Sequence, residues 1–280
     1  MKPPSHLSRI SKNRGMSWDD STNTLTVTTP HALTQAVGYL KYSLRKNGPV
    51  LFRGQNQLHP SMTPSLFRGV ITARGKSEQE IRVANYVKQA RDHSAFIGKL
   101  SDHVYEPLLQ HYGIKTRWLD LVDNAWTALW FACQDVLSSG QVNQYLHFSP
   151  RKSGDSFIVL LQAGPETTEE DKPGILSNKS ATIIDLRRSA PSTYLRPHAQ
   201  HALLMRRRAY SDVRSMDLSD FVVGVIRIDT QQAQEWLGSG ALANTHHLFP
   251  PPYYDEGYRH FLKKAPIGGK PIGSIQHVGA

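Results

Sequence analysis

Three strongly apolar runs in the second half of the chain restrict its architecture more than any other feature. Residues 157–161 are hydrophobic at every position, and 181–185 and 221–228 read similarly, broken only by Thr182 and Asp185 and by Gly224 and Arg227. A surface strand would alternate, so these read as strands buried on both faces. The first half has a different grammar. Thr29 as N-cap, Pro30 at the first helical position and Gly48 after Asn47 bracket a helix over 31–46. Residues 49–53, Pro-Val-Leu-Phe-Arg, read as a short strand. Ser77 and Glu80 form a capping box that opens a helix with Ile81, Ala84, Val87 and Ala90 on its apolar positions. A further helix is expected over 99–112, bent by Pro107 and closed by Gly113. Asp123 caps another over 124–137, ended by Ser138-Ser139-Gly140, and short helices follow at 231–237 and 255–263. Helices crowd the first half and strands the second, without the strict alternation of a doubly wound nucleotide fold. That pattern predicts an α+β protein with a helical N-terminal half.

Punctuation divides the chain into a basic N-terminal arm and lead-in (1–30), one domain (31–262) and a flexible basic tail (263–280). A chain of 280 residues buries a core without disulfides or a structural metal. Mean hydropathy is −0.43, and no stretch nears the ~18 apolar residues of a membrane span. The single cysteine, Cys133, excludes an intramolecular disulfide and a multi-cysteine zinc site. It follows an Ala/Trp/Phe run and reads as a buried, inert thiol. A soluble, cytoplasmic protein with no membrane partner is the expectation. The 33 Lys and Arg against 23 Asp and Glu leave a net charge of +10, which favours polyanionic partners, nucleic acid first. The consecutive Arg206, Arg207 and Arg208 are the candidate nucleic-acid contacts.

Several motifs fail on context. Between Gly69 and Gly75-Lys76-Ser77 lie five residues where a phosphate loop has four. Gly238-Ser-Gly240-Ala-Leu-Ala243 matches a dinucleotide fingerprint, but a helix leads into it where a strand is needed. His198 with His201, and His246 with His247, lack a third ligand, so no metal is expected.

Three segments do not read as scaffolding. In Leu51-Phe52-Arg53-Gly54-Gln55 an arginine ends a strand, and the glycine would let a ligand approach the backbone. The stretch from Gln110 to Asp120 packs His111, Tyr112, Thr116, Arg117 and Trp118 around Gly113, a polar density unusual in a connector. Arg196-Pro-His-Ala-Gln200-His-Ala then mixes ring nitrogens with an amide.

These residues resemble the FRG domain. The resemblance rests on Phe52-Arg53-Gly54-Gln55, Gln110-His111-Tyr112-Gly113, Thr116-Arg117-Trp118-Leu119-Asp120 and Ala128-Leu129-Trp130-Phe131-Ala132, followed by Arg196, Gln200 and Leu248-Phe249-Pro250. FRG domains in turn resemble ADP-ribosyltransferases, which implies a split β-sheet core and NAD as substrate. It also implies Arg53, Thr116 and Gln200 as the three motif residues. The third segment offers Gln200 and histidines but no carboxylate, so Asp120 would supply the charge.

On that reading Arg53, Thr116, Asp120 and Gln200 are catalytic. Gln55, His111, Tyr112, Arg117 and Trp118 join Arg53 and Thr116 in holding NAD. Arg53 would bind phosphates as a bidentate donor, and Tyr112 or Trp118 would stack on nicotinamide. Thr116 and Gln200 would fix ribose hydroxyls or the carboxamide. Asp120 would stabilise the ribosyl cation or take the nucleophile's proton. Arg117 would hold phosphate or pair with Asp120. The implied function is a bacterial toxin or phage-defence effector that ADP-ribosylates nucleic acid, RNA before DNA, with a neutralising antitoxin protein as a further partner. A transferase acting on protein, an NAD hydrolase and a non-catalytic sensor or binding module are the alternatives.

Overall fold

The apolar runs of the second half form the centre of a ten-stranded sheet. The computed structural model describes residues 3–93, 100–139, 144–209, 214–251, 253–255, 257 and 276–278. In chain order the first strands are β1 (Met16–Asp19), β2 (Thr24–Val27), β3 (Val50–Gln55) and β4 (Leu119–Val122). They are followed by β5 (Gln134–Ser139), β6 (Gln144–Pro150), β7 (Asp155–Gln162), β8 (Thr168–Glu169) and β9 (Ile175–Ser177). The last are β10 (Ala181–Asp185), β11 (Ala202–Arg207), β12 (Val222–Asp229) and β13 (Gln276–Val278). The large sheet runs β1-β2-β12-β7-β3-β4-β11-β10-β9-β8, and a smaller one runs β13-β6-β5. β7, β10 and β12 are the three expected buried strands. The mixed sheet with helices is an α+β arrangement.

The sheet is split at its middle. β3 pairs with β7 from Val50↔Gln162 to Gln55↔Phe157, and β4 pairs with β11 from Ala202↔Val122 to Met205↔Leu119. Between them, β3 and β4 meet only at Phe52↔Val122. Past that pair the strands part.

The N-terminal segment departs from the expected arm. Leu7 is fully buried in the main core, and β2 adds to β12 in parallel through Ile226↔Leu25 and Arg227↔Thr26. Met16–Asp19 and Thr24–Val27 are therefore strands of the sheet, and Leu7 packs into the same core. Of the expected tail, only Gln276–Val278 lie among the described residues, and they pair in parallel with β6. The helix expected at 255–263 lies almost wholly outside them.

The helices are α1 (Pro30–Ser43), α2 (Ala73–His93), α3 (Tyr105–His111), α4 (Ala125–Ala132), α5 (Leu186–Ser189), α6 (Leu195–Ala199), α7 (Thr230–Trp236) and α8 (Thr245–Leu248). Thr29 caps α1 as expected, accepting from Ala32 N. Three helices differ from expectation. α2 starts at Ala73, so Ser77 and Glu80 lie inside it; Val83 and Tyr86 are buried while Ile81 is 62% exposed. Ala90's side chain lies outside the described set. α3 starts at Tyr105, which puts Pro107 in the first turn, where a missing N–H breaks no helical bond. α4 is capped by Asn124, not Asp123, and stops at Cys133. Val136 and Leu137, 48% and 67% exposed, offer no core face to extend it, and Gln134–Ser139 pairs with β6 instead. Among the described residues no helix is long and apolar enough to cross a membrane.

Candidate functional site

The split between β3 and β4 creates the site. Arg53, one residue past the single pairing, spans the opening and donates from Nη1 to the Asp120 main-chain oxygen at 2.8 Å. A cleft of about 460 Å³ opens here, within the ~300–1,000 Å³ typical of small-molecule sites. Arg53, Gln55, His111, Asp120 and Gln200 contribute its polar lining. Phe131, Phe148 and Phe249 contribute an aromatic side, with Phe148 and Phe249 stacked at 4.8 Å and 30°.

Gly54 has a different purpose from the one expected. A Cβ there would lie 1.8 Å from the Ala128 carbonyl oxygen. No side chain fits, so glycine is what lets α4 lie directly across β3. The close approach it permits is that of a helix.

His111 ends α3, and its carbonyl accepts from Arg196 Nη1 at 2.9 Å. A cation at a helix C-terminus satisfies an orphan carbonyl and the helix dipole together. The ring orientation follows from a short hydrogen-bond chain. Gln200 Nε2 donates to Leu248 O at 2.8 Å, which turns its Oε1 toward His111 Nδ1, 3.1 Å away. An amide oxygen only accepts, so Nδ1 carries the hydrogen and Nε2 keeps its lone pair. That Nε2 lies 3.8 Å from Asp120 Oδ1. Burial holds the imidazole below its ordinary pKa, against the pull of Asp120. The result is a neutral base beside a carboxylate. His201, with φ of 54°, makes the turn from α6 into β11 that keeps Gln200 buried.

Buried polar atoms lacking partners concentrate here. Arg53 Nε, Gln55 Oε1, His111 Nε2 and Asp120 Oδ1 all have no hydrogen bond among the described residues. Each such atom costs roughly 1–3 kcal/mol of desolvation, and four in one cleft are the mark of a polar site. One end of the cleft is electropositive. Burial depresses Arg53 first, Asp120 opposes, and Arg68 adds to the depression. His59 is lowered by burial, then by Arg68 and Arg53. A bound anion would offset the cost of charging Arg53 and His59 there.

The other expected site residues lie elsewhere. Tyr112 is fully buried, its OH donating to Asp255 Oδ1 at 2.6 Å. Thr116 is also fully buried; its hydroxyl donates to Gln110 Oε1 and accepts from Trp118 N. Arg117 is bound by Glu106 through its main-chain N–H, Nε and Nη2, in place of the expected pairing with Asp120. Trp118 is 2% exposed, beneath Arg206. These four hold the α3–β4 loop in shape. Gln200 does line the cleft, but both its amide atoms are engaged, so it positions His111. His59, Arg68 and Gln134 line the cleft as well and belong to no motif; Gln110, which opens the Gln110-His111-Tyr112-Gly113 segment, lines it too.

The arginine triplet is divided by strand geometry. Arg206 and Arg208, the latter just past the end of β11, line one pocket, while Arg207 meets Asp220 and the Asp217 carbonyl. Asp212, the other expected partner, lies outside the described residues. Cys133 is buried, its thiol pushed up to about 11 by desolvation.

No match was found among curated proteins or among solved structures. The family model of the FRG domain matches residues 48–141, the stretch from β3 to β5 that contains Arg53, Gly54, His111 and Asp120. Residues 48–141 of this chain are similar to the FRG domain.

Proposed function

We propose that the chain is an NAD-dependent ADP-ribosyltransferase that modifies nucleic acid, RNA in preference to DNA. The observation that carries this reading is the convergence of Arg53, His111 and Asp120 on one nucleotide-sized cleft. An electropositive end and an aromatic side complete it. The residues fit NAD in kind. Arg53 and Arg68 suit a pyrophosphate, and the Phe148–Phe249 pair suits a planar ring. NAD supplies a ribosyl carbon that becomes electrophilic as nicotinamide leaves. The half-exposed Asp120 carboxylate stabilises positive charge at that position. His111 Nε2, held neutral, accepts a proton from the acceptor hydroxyl or amine through Asp120 or directly.

Incubation with NAD labelled on its adenylate phosphate, alone and with single-stranded RNA, single-stranded DNA or a protein extract, tests the reading. Label on RNA above DNA and protein is the expected result. Label on protein alone would overturn the nucleic-acid acceptor, and intact NAD in every arm would overturn the enzyme.

A further inference from the structure

We infer that Gln110, aimed by Thr116, is the residue that selects the leaving ring of NAD: its amide donates to the carbonyl oxygen of the nicotinamide carboxamide. The inference deepens the proposed function and rests on its reading of the cleft as an NAD site.

Gln110 and His111 are consecutive residues at the end of α3, and both line the main cleft. Each is oriented by a hydrogen-bond relay that starts from a main-chain group outside the cleft lining. For His111 the relay runs from Leu248 O through Gln200 and leaves Nε2 as an acceptor. For Gln110 it runs through Thr116 and ends with the opposite sign. The Trp118 main-chain N–H donates to Thr116 Oγ1 at 3.2 Å. Thr116 is fully buried, so its hydroxyl proton needs an acceptor within the protein. That acceptor is Gln110 Oε1. A flipped Gln110 amide would offer the hydroxyl only donors and leave its proton without a partner. The oxygen is therefore committed to Thr116. Gln110 Nε2 keeps both of its N–H groups, with no hydrogen bond among the described residues.

The composition of the cleft says what this donor takes. Three of its orphaned buried atoms are acceptors: Gln55 Oε1, His111 Nε2 and Asp120 Oδ1. A phosphate is disfavoured beside the Asp120 carboxylate and has Arg53 and Arg68 to bind it. An uncharged donor next to His111 suits an uncharged acceptor instead. NAD has a single carbonyl oxygen, that of the carboxamide, and it is borne on the ring that leaves. The proposed reaction puts the breaking bond at Asp120 and His111, so the ring beside Gln110 is nicotinamide and not adenine. Thr116 then acts as a positioning residue, one hydrogen bond removed from the substrate.

The experiment measures equilibrium binding to the full chain by intrinsic fluorescence for NAD and two analogues. 3-Acetylpyridine adenine dinucleotide keeps the carbonyl oxygen, and pyridine adenine dinucleotide lacks it. The parent is expected to bind the first two within about twofold of each other and the pyridine analogue about tenfold more weakly. Gln110→Glu keeps an oxygen for the Thr116 hydroxyl and removes the donor. The preference for a carbonyl is expected to vanish in it, read as a ratio so that the added charge cancels. Thr116→Val should lose the preference and Thr116→Ser should keep it, with thermal midpoints recorded for each. A purely structural Thr116 would lower the midpoint of Thr116→Val and leave the ratio unchanged; if that variant does not fold, Gln110→Glu decides. A preference that survives in Gln110→Glu, or equal binding of NAD and both analogues by the parent, would overturn the role of Gln110 and leave the NAD site standing. No binding of NAD or either analogue by the parent would overturn the NAD reading, and this assignment with it.

Discussion

Asp120 and His111 carry the chemical weight of this account, and each makes a separable demand. Asp120→Asn keeps shape and removes charge. Transfer from NAD should fall about 10²–10⁴-fold, with the thermal midpoint retained, because Oδ1 has no hydrogen-bond partner to lose. A variant that unfolds early but keeps its activity per folded molecule would make Asp120 structural. His111 makes a pH-dependent demand. Its pKa in the fold lies below the ordinary 6.5, so above that pH both folded and unfolded chains hold it neutral. As pH falls below about 6.5 the unfolded chain takes up the proton first, and stability declines by up to ~1.4 kcal/mol per pH unit for this group. His59 and His103 shift in the same direction and add to the decline. Denaturation curves of His111→Asn between about pH 7 and 5 should be measurably flatter than those of the parent. An unchanged slope would contradict the buried neutral ring. Arg53, His111 and Asp120 were legible in the sequence as dense polar residues around a strand end. What was not legible is direction: Tyr112, Thr116, Arg117 and Trp118 belong to the same motif yet point away from the cleft, because a loop held by Glu106 turns them elsewhere.

Elements were legible where their signals are local. Thr29 and Pro30 fix the start of α1, and the strongly apolar runs fix β7, β10 and β12. Signals that depend on a partner were missed. β4 is four residues long and exists because β11 lies beside it. The helical reading of 134–137 failed because β6 offers that segment a ladder, which no periodicity within it reveals. Gly54 belongs to the same class, since its reason lies on α4. Gly54→Ala should cost about 3 kcal/mol by overpacking, with β3 and α4 pushed apart and the cleft deformed. Urea denaturation checks this; a loss below about 1 kcal/mol would mean that α4 shifts freely.

At the scale of the whole molecule, the split sheet joins two half-sheets at one residue pair and leaves a cleft between them. The N-terminal segment belongs to one of those halves. Leu7 is buried beside Leu40 and Gly224, so Leu7→Ala should cost about 2–5 kcal/mol, whereas a detached arm would tolerate the change. Its basic composition suggested mobility because a short turn and a four-residue hairpin leave no periodic trace. The central claim is that the cleft breaks NAD and passes ADP-ribose to a nucleic acid. Its most direct test follows a single-stranded RNA by mass spectrometry while quantifying free nicotinamide in the same reaction. The account predicts one nicotinamide released for each ADP-ribose added to the RNA, with both lost in Arg53→Gln. Nicotinamide release without any gain in RNA mass would make the chain a hydrolase, and no release from the folded protein would contradict the account at its root.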